Sequence, residues 1–206
     1  MSNTPQQFSD EILNILQSIA KEGLSSAANG LSSMVGTTLI VKDPCVKIVN
    51  VKDIPMALGG PENEAVGIYL KAEGKISGHF MLVIPYVKAL EIVDMLMEVP
   101  SGSTQSLGSI ERSALAEVGN ITSSFFLNAV AAMTGVSARP TPPAVMVDMI
   151  GAILDIIIAA TGEINENVLT FQTAFNYADR SIDADFWVIP DPSTLDAFFN
   201  ERSNND

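Results

Sequence analysis

The tetrapeptide "LVIP" at Leu82 to Pro85 returns 105 residues later as "WVIP" at Trp187 to Pro190, and Leu90 returns as Leu195. Upstream, a shift of 99 residues sets Ser25 on Ser124, Gly36 on Gly135, Pro44 on Pro143 and Val46 on Val145. Self-similarity of this kind constrains a chain to two copies of one supersecondary unit. The growth of the shift from 99 to 105 places six extra residues in the second copy, between its proline and its hairpin.

The order of elements repeats as well. Phe8, Ile12, Ile15, Leu16 and Ile19 recur at steps of three and four, the pattern of an amphipathic helix running to about Val35, with Gly36 as its stop. "TTLIVKDPCVKIVNV" is rich in β-branched residues and reads as extended, interrupted at Pro44, while "IPMALGGPENE" reads as a turn-rich loop. "AVGIYLKAEGKISGHFMLVIP" reads as a hairpin turning near "EGKIS", and "YVKALEIVDMLME" as a helix with a Val87, Leu90, Val93 and Met97 face. After the polar linker "VPSGSTQSLGS" the series restarts. A helix over about Leu107 to Met133 is followed by the extended "VSARPTPPAVMV", the hairpin "NVLTFQTAFNYADRSIDADFWVIP" and a closing helix in "STLDAFFNE". The expected fold is α+β, a single domain over residues 1–206 made of two repeats, about 8–98 and 106–200. Each half runs helix, strand, hairpin, helix; the halves are related by a pseudo-twofold and share an antiparallel sheet with the long helices packed on it.

Composition narrows the partners. Apolar residues make up 47% of the chain, enough for a packed core. The net charge of −13 repels phosphate backbones and anionic lipid, so no nucleic-acid or membrane partner is expected. Residues 106–206 carry 4 Lys and Arg against 13 Asp and Glu, and residues 1–105 carry 7 against 11, so the second half is the one suited to a basic protein partner. A single cysteine, Cys45, allows no intramolecular disulfide and suits a reducing cytoplasm. The N-terminus lacks the basic and apolar regions of a signal peptide, and the run "MIGAILDIIIAATG" is interrupted by Asp155 and too short to span a bilayer. The expected location is the cytoplasm. With one histidine, His79, and one cysteine, neither a Ser–His–Asp triad nor a zinc site has support. His79 is expected on a partly exposed strand face, and no Walker, GxGxxG or EF-hand pattern occurs.

The helix over Leu107 to Met133 is where chemistry concentrates. Ile110, Leu115, Val118, Ile121 and Phe125 are its expected buried face. Ser113, Glu117, Asn120 and Ser124 follow at i, i+4, i+7 and i+11, which stacks them in one polar stripe. Gly119 costs about 1 kcal/mol relative to alanine in a helix, and its missing side chain is expected to let another protein approach. From spacing alone, an ordinary surface helix with one polar face is the simpler account.

The pattern Asp/Ser-x3-Glu-x2-Asn-x22-Pro, however, resembles the signature of the CheC/CheX/FliY family of chemotaxis phosphatases. It is filled here by Ser113, Glu117, Asn120 and Pro143 at full spacing. The resemblance extends over essentially the whole chain and is strongest to CheC, whose members are built of two such halves. Ninety-nine residues earlier, Pro44 keeps its place, but Asn14, Ser18 and Lys21 stand where Ser113, Glu117 and Asn120 do. The first site has therefore lost its acid and its amide, and one working site is expected rather than two.

The resemblance implies dephosphorylation of an aspartyl phosphate on a CheY-type response regulator. The regulator brings its own Mg²⁺, lysine and carboxylate, so no cofactor is expected on this chain. Asn120 would fix the attacking water in line with the leaving carboxylate, since its amide both accepts and donates and carries no charge to repel the phosphoryl oxygens. Glu117 would pair with the regulator's lysine, Ser113 would add a hydrogen bond to the contact, and Pro143 would shape the adjoining strand. Positioning one water supplies on the order of 10²-fold in rate. The alternative is a non-catalytic binding module that regulates, or is regulated by, the CheD deamidase; a diverged flagellar-switch scaffold is a third reading.

Overall fold

The computed structural model describes residues 10–75, 77–161, 167–177, 180–191 and 194. The first half runs α1 (Asp10–Val35), β1 (Leu39–Asn50), a 3-10 turn (Val51–Asp53), α2 (Ile54–Ala57), β2 (Glu64–Gly74), β3 (Gly78–Pro85) and α3 (Tyr86–Leu96). The second runs α4 (Ser109–Thr134), β4 (Ala138–Pro140), β5 (Ala144–Met149), α5 (Ile150–Thr161), β6 (Asn167–Tyr177) and β7 (Arg180–Pro190). Phe8 and, apart from Thr194, the expected closing helix of "STLDAFFNE" lie outside the described residues.

Among the described residues, seven strands form one antiparallel sheet in the order β1-β6-β7-β3-β2-β4, with β5 also on β2. Exchanging the halves reverses this order onto itself: β1 answers β4 and β5, β6 answers β2, and β7 answers β3. The pseudo-twofold therefore passes between β3 and β7. The first strand of each half pairs with the hairpin of the other half. α1 and α4 are each closed by a glycine in the left-handed region, Gly36 (φ 65°) and Gly135 (φ 73°). The prolines also correspond. β1 shifts register between Lys42 and Cys45, around Pro44, and β4 and β5 are separated at Thr141 to Pro143. A residue without an N–H interrupts the ladder at the same place in each half.

The hairpin repeat is less regular than the tetrapeptides suggest. Leu82 faces the long helices and Trp187 faces the other side of the sheet, so a 105-residue shift superposes side chains of opposite direction. Within the run "MIGAILDIIIAATG", Ile150–Thr161 form helix α5, longer than the 3-10 turn and α2 that occupy its place in the first half. On α3 the buried residues are Ala89, Ile92, Val93 and Asp94, whereas Val87 of the expected face is 66% exposed.

The core has two layers. One lies between the sheet and the pair α1 and α4; the other lies on the opposite face under α2 and α5. Phe126 of α4 sits among Phe80, Phe171 and Phe186, with ring centroids 5.1 to 5.9 Å away. Such edge-on aromatic packing fixes the rotation of the helix as well as its position. His79 is on its strand but not on a partly exposed face. It is 8% exposed, its Nδ1 is 2.7 Å from the Tyr69 hydroxyl, and its Nε2 is 3.7 Å from Asp191. Burial pushes its pKa below the usual histidine value, with the Asp191 carboxylate opposing and Lys71 assisting. Among the described residues, no helix is long and apolar enough to cross a membrane.

Candidate functional site

The face that α4 turns to the sheet determines which face it turns outward. Leu115, Val118, Gly119, Thr122, Ser123 and Phe126 are buried, whereas Ile121 and Phe125 are half-buried and Ile110 is 65% exposed. The expected buried face was thus rotated from the real one. Gly119 belongs to the sheet side: a Cβ there would stand 2.4 Å from Cγ2 of Ile68 on β2. It brings the helix onto the sheet and is not a landing place for another protein. Glu117 lies about two and a half turns before Phe126, so its side chain leaves the helix on the opposite side.

Ser113, Glu117 and Asn120 share that outer side. Ser113 and Glu117 are exposed and Asn120 is half-buried. The Asn120 amide Nδ2 donates to Glu117 Oε2 at 3.5 Å, a long contact that holds the two side chains together. This leaves the Asn120 carbonyl oxygen free of that bond and able to accept from a water. The Ser113 hydroxyl donates to the Ser109 carbonyl at 2.9 Å, which ties it to its own helix. Pro143 lies at the break between β4 and β5, half-buried.

The first half differs in more than the residues of its stripe. Ser18 and Lys21 are exposed on α1, and Ser18 donates to the Asn14 carbonyl at 2.9 Å. Pro44 is buried. Gln17 grips β1 on both sides of Cys45, just after Pro44: its Nε2 donates to the Pro44 carbonyl, and its Oε1 accepts from the Val46 N–H at 3.1 Å. The residue 99 positions later is Ala116, which cannot make these bonds. The sequence carried this signal in the Gln17 and Ala116 pair, but only the strand geometry gives it meaning.

An antiparallel sheet made by two interleaved halves carries a carboxylate and an amide side by side on one long helix, and comparison with known proteins finds similar chains. Residues 110–147, which hold Ser113, Glu117, Asn120 and Pro143, match the CheC-like family. The chain is 23% identical over 194 residues to the CheY-P phosphatase CheC of Bacillus subtilis (strain 168), covering 92% of this chain and 93% of the relative. Its fold is similar to the crystal structure of Thermotoga maritima FliY (TM-score 0.75, 17% identity, 93% and 96% covered). It is also similar to the FliM middle domain from H. pylori (TM-score 0.71, 15% identity, 92% and 97% covered). The similarity to the CheC-like family is thus strongest around the paired side chains of α4, while the likeness to the Bacillus relative runs through most of the chain.

Proposed function

We propose that this chain accelerates hydrolysis of the aspartyl phosphate on a CheY-type response regulator, at one site. The observation that carries the reading is the pairing of Glu117 and Asn120 on the exposed face of α4, within the segment that matches the family. Asn120 enters the regulator's active site and holds the attacking water through its amide carbonyl. Glu117, an acid on an exposed face, receives the regulator's lysine. Ser113 extends the contact toward the helix start, and Pro143 shapes the strand beside it. The Mg²⁺ for the reaction belongs to the regulator, and the place of action is the cytoplasm, where such regulators work. The name of the Bacillus relative supports a regulator as substrate.

The first site, at Ser18, Lys21 and Pro44, takes no part in turnover. A lysine at position 21 has no acceptor for a water and would repel the regulator's lysine. The second reading is a binding module without turnover, with the CheD deamidase as the partner that the family resemblance suggests.

A decay assay with the organism's own phosphorylated regulator separates the two. The parent protein is expected to shorten the regulator's phosphoryl lifetime, and Asn120→Ala to remove on the order of 10² of that acceleration with the fold retained. A variant as active as the parent would show that Asn120 does not hold the water. A parent that binds the regulator without changing its decay would establish the binding module.

A further inference from the structure

β1 ends the sheet on one side, and β4 and β5, both paired with β2, end it on the other. An edge strand presents a row of unpaired main-chain groups. On β1 that row is guarded. The single carboxamide of Gln17 takes both the Pro44 carbonyl and the Val46 N–H, and Lys42 and Lys47 put charge along the strand. The pseudo-twofold sets Ala116 beside β5 as Gln17 is set beside β1, and a methyl group makes neither bond. Pro44 is buried, whereas Pro143 is only half-buried.

The register of β5 shows what this leaves open. The Thr141 N–H donates to the Lys71 carbonyl at 2.8 Å, so Lys71 turns its main chain toward this side of β2. By the two-residue repeat of a strand, Tyr69 and Gly67 do the same, and Ile68 and Val66 turn toward β3. Val145 and Val147, opposite Ile68 and Val66, therefore turn their N–H and C=O groups outward. Those groups have no hydrogen-bond partner among the described residues. Residues 144–147 read Ala, Val, Met, Val and carry no charge that would keep another strand away. We infer that this outer edge of β5 takes an extended segment of the phosphorylated regulator as an added strand, beside the acyl phosphate that Asn120 reaches.

Continuity with the paired side chains of α4 argues for this occupant. Asn120 follows Ala116 by four residues, so it stands on the same side of the helix, about 6 Å further along. A body that brings its phosphoryl group to Asn120 lies over the open edge. A second copy of this chain seated there would cover Asn120 and close the site. In the first half the guarded edge accompanies the lost amide, with Lys21 one turn beyond Gln17. An extended residue carries its N–H and C=O on one side, which is the complement that outward groups on β5 require, and main-chain bonds of this kind give affinity without demanding a particular side chain. The edge touches no reacting atom, so its contribution belongs to binding.

The inference rests on the phosphatase reading, and the test separates the two. Amide hydrogen exchange along β5 is followed in the free protein and with the beryllofluoride-activated regulator. Affinity, oligomeric state and the concentration dependence of phosphoryl decay are measured for the parent, Ala116→Gln, Val145→Pro and Val145→Thr. In the parent, the Val145 and Val147 amides should exchange freely and slow about tenfold or more when the regulator binds. Ala116→Gln installs the clamp of the first half. It should slow the Val145 amide without the regulator, weaken affinity and raise KM about tenfold, with a much smaller effect on kcat. Val145→Pro removes an N–H that β2 does not use and should weaken affinity likewise while the protein stays folded; Val145→Thr, which keeps the N–H and the branched shape, should retain parental affinity. If the parent accelerates decay but its β5 amides still exchange freely in the complex, or Ala116→Gln keeps its affinity and KM, the edge assignment is overturned while the phosphatase reading stands. Protection of those amides in the free parent by pairing with a second copy would overturn the assignment too. If the parent neither binds nor accelerates decay, both are overturned.

Discussion

Gly119 lies in a helix interior, where glycine costs about 1 kcal/mol relative to alanine, and the reason it is there is Ile68. That side chain is 1% exposed, and its branched Cγ2 has no room to retreat from a new methyl group at 2.4 Å. Overpacking of this kind costs about 1–3 kcal/mol, more than the helical propensity an alanine would add. Gly119→Ala should therefore lower the melting temperature. With Ile68→Ala already present, the same change should raise it, because the clash has gone and the propensity gain remains. Calorimetry on the four proteins of this cycle checks the sign reversal; two independent, additive effects would mean that the contact is not the cause. The sequence showed that Gly119 and Asn120 were unusual in a helix but not which way each pointed. Glu117 and Asn120 were legible as a pair because side-chain spacing is set by the helix alone. The partner of Gly119 comes from β2, and no pattern within α4 encodes it.

At the scale of elements, the linker between the halves is held by one carboxylate. Asp94, at the end of α3, is 2% exposed and accepts from the backbone N–H groups of Gly102 at 2.6 Å and Thr104 at 2.8 Å. Burial pushes its pKa up, but hydrogen bonds from the side chain and backbone of Thr104 and from the backbone of Gly102 and Ser103 outweigh it and hold the carboxyl below its usual value. A carboxyl with a depressed folded pKa contributes stability that is complete above its unfolded value, about 3.9, and is lost as pH falls through the folded one. Asp94→Asn replaces one accepting oxygen by an amide and should cost about 1.5–3 kcal/mol at pH 7. The gap between variant and parent in denaturant midpoint should close as the pH is lowered below 4. A gap independent of pH would show that the charge of Asp94 does not hold the linker. The sequence gives reason to expect a linker there, from its small polar residues, but Asp94 falls on the helical period of α3 and reads as one more surface acid. Hairpins and long helices were legible because their periods are local; α5, apolar on most sides, has no contrast by which a helix could be read.

At the scale of the whole molecule, the two halves interleave, each lending its first strand to the other's hairpin. This binds both helices to one sheet. On the proposed one-site reading, the first half is a scaffold on which a second site can be built. The structure specifies what rebuilding requires. Ser18→Glu and Lys21→Asn restore the acid and the amide on an exposed face of α1. In a chain silenced by Asn120→Ala, these two changes should recover part of the acceleration. On the proposed one-site reading, Lys21→Ala in the parent should leave turnover unaltered. The decay assay over a range of regulator concentrations reads both. No recovery from the two changes would show that the acid and the amide are not enough to make a site. A large loss from Lys21→Ala would show that the first half is still at work, with a lysine where the second half uses an asparagine.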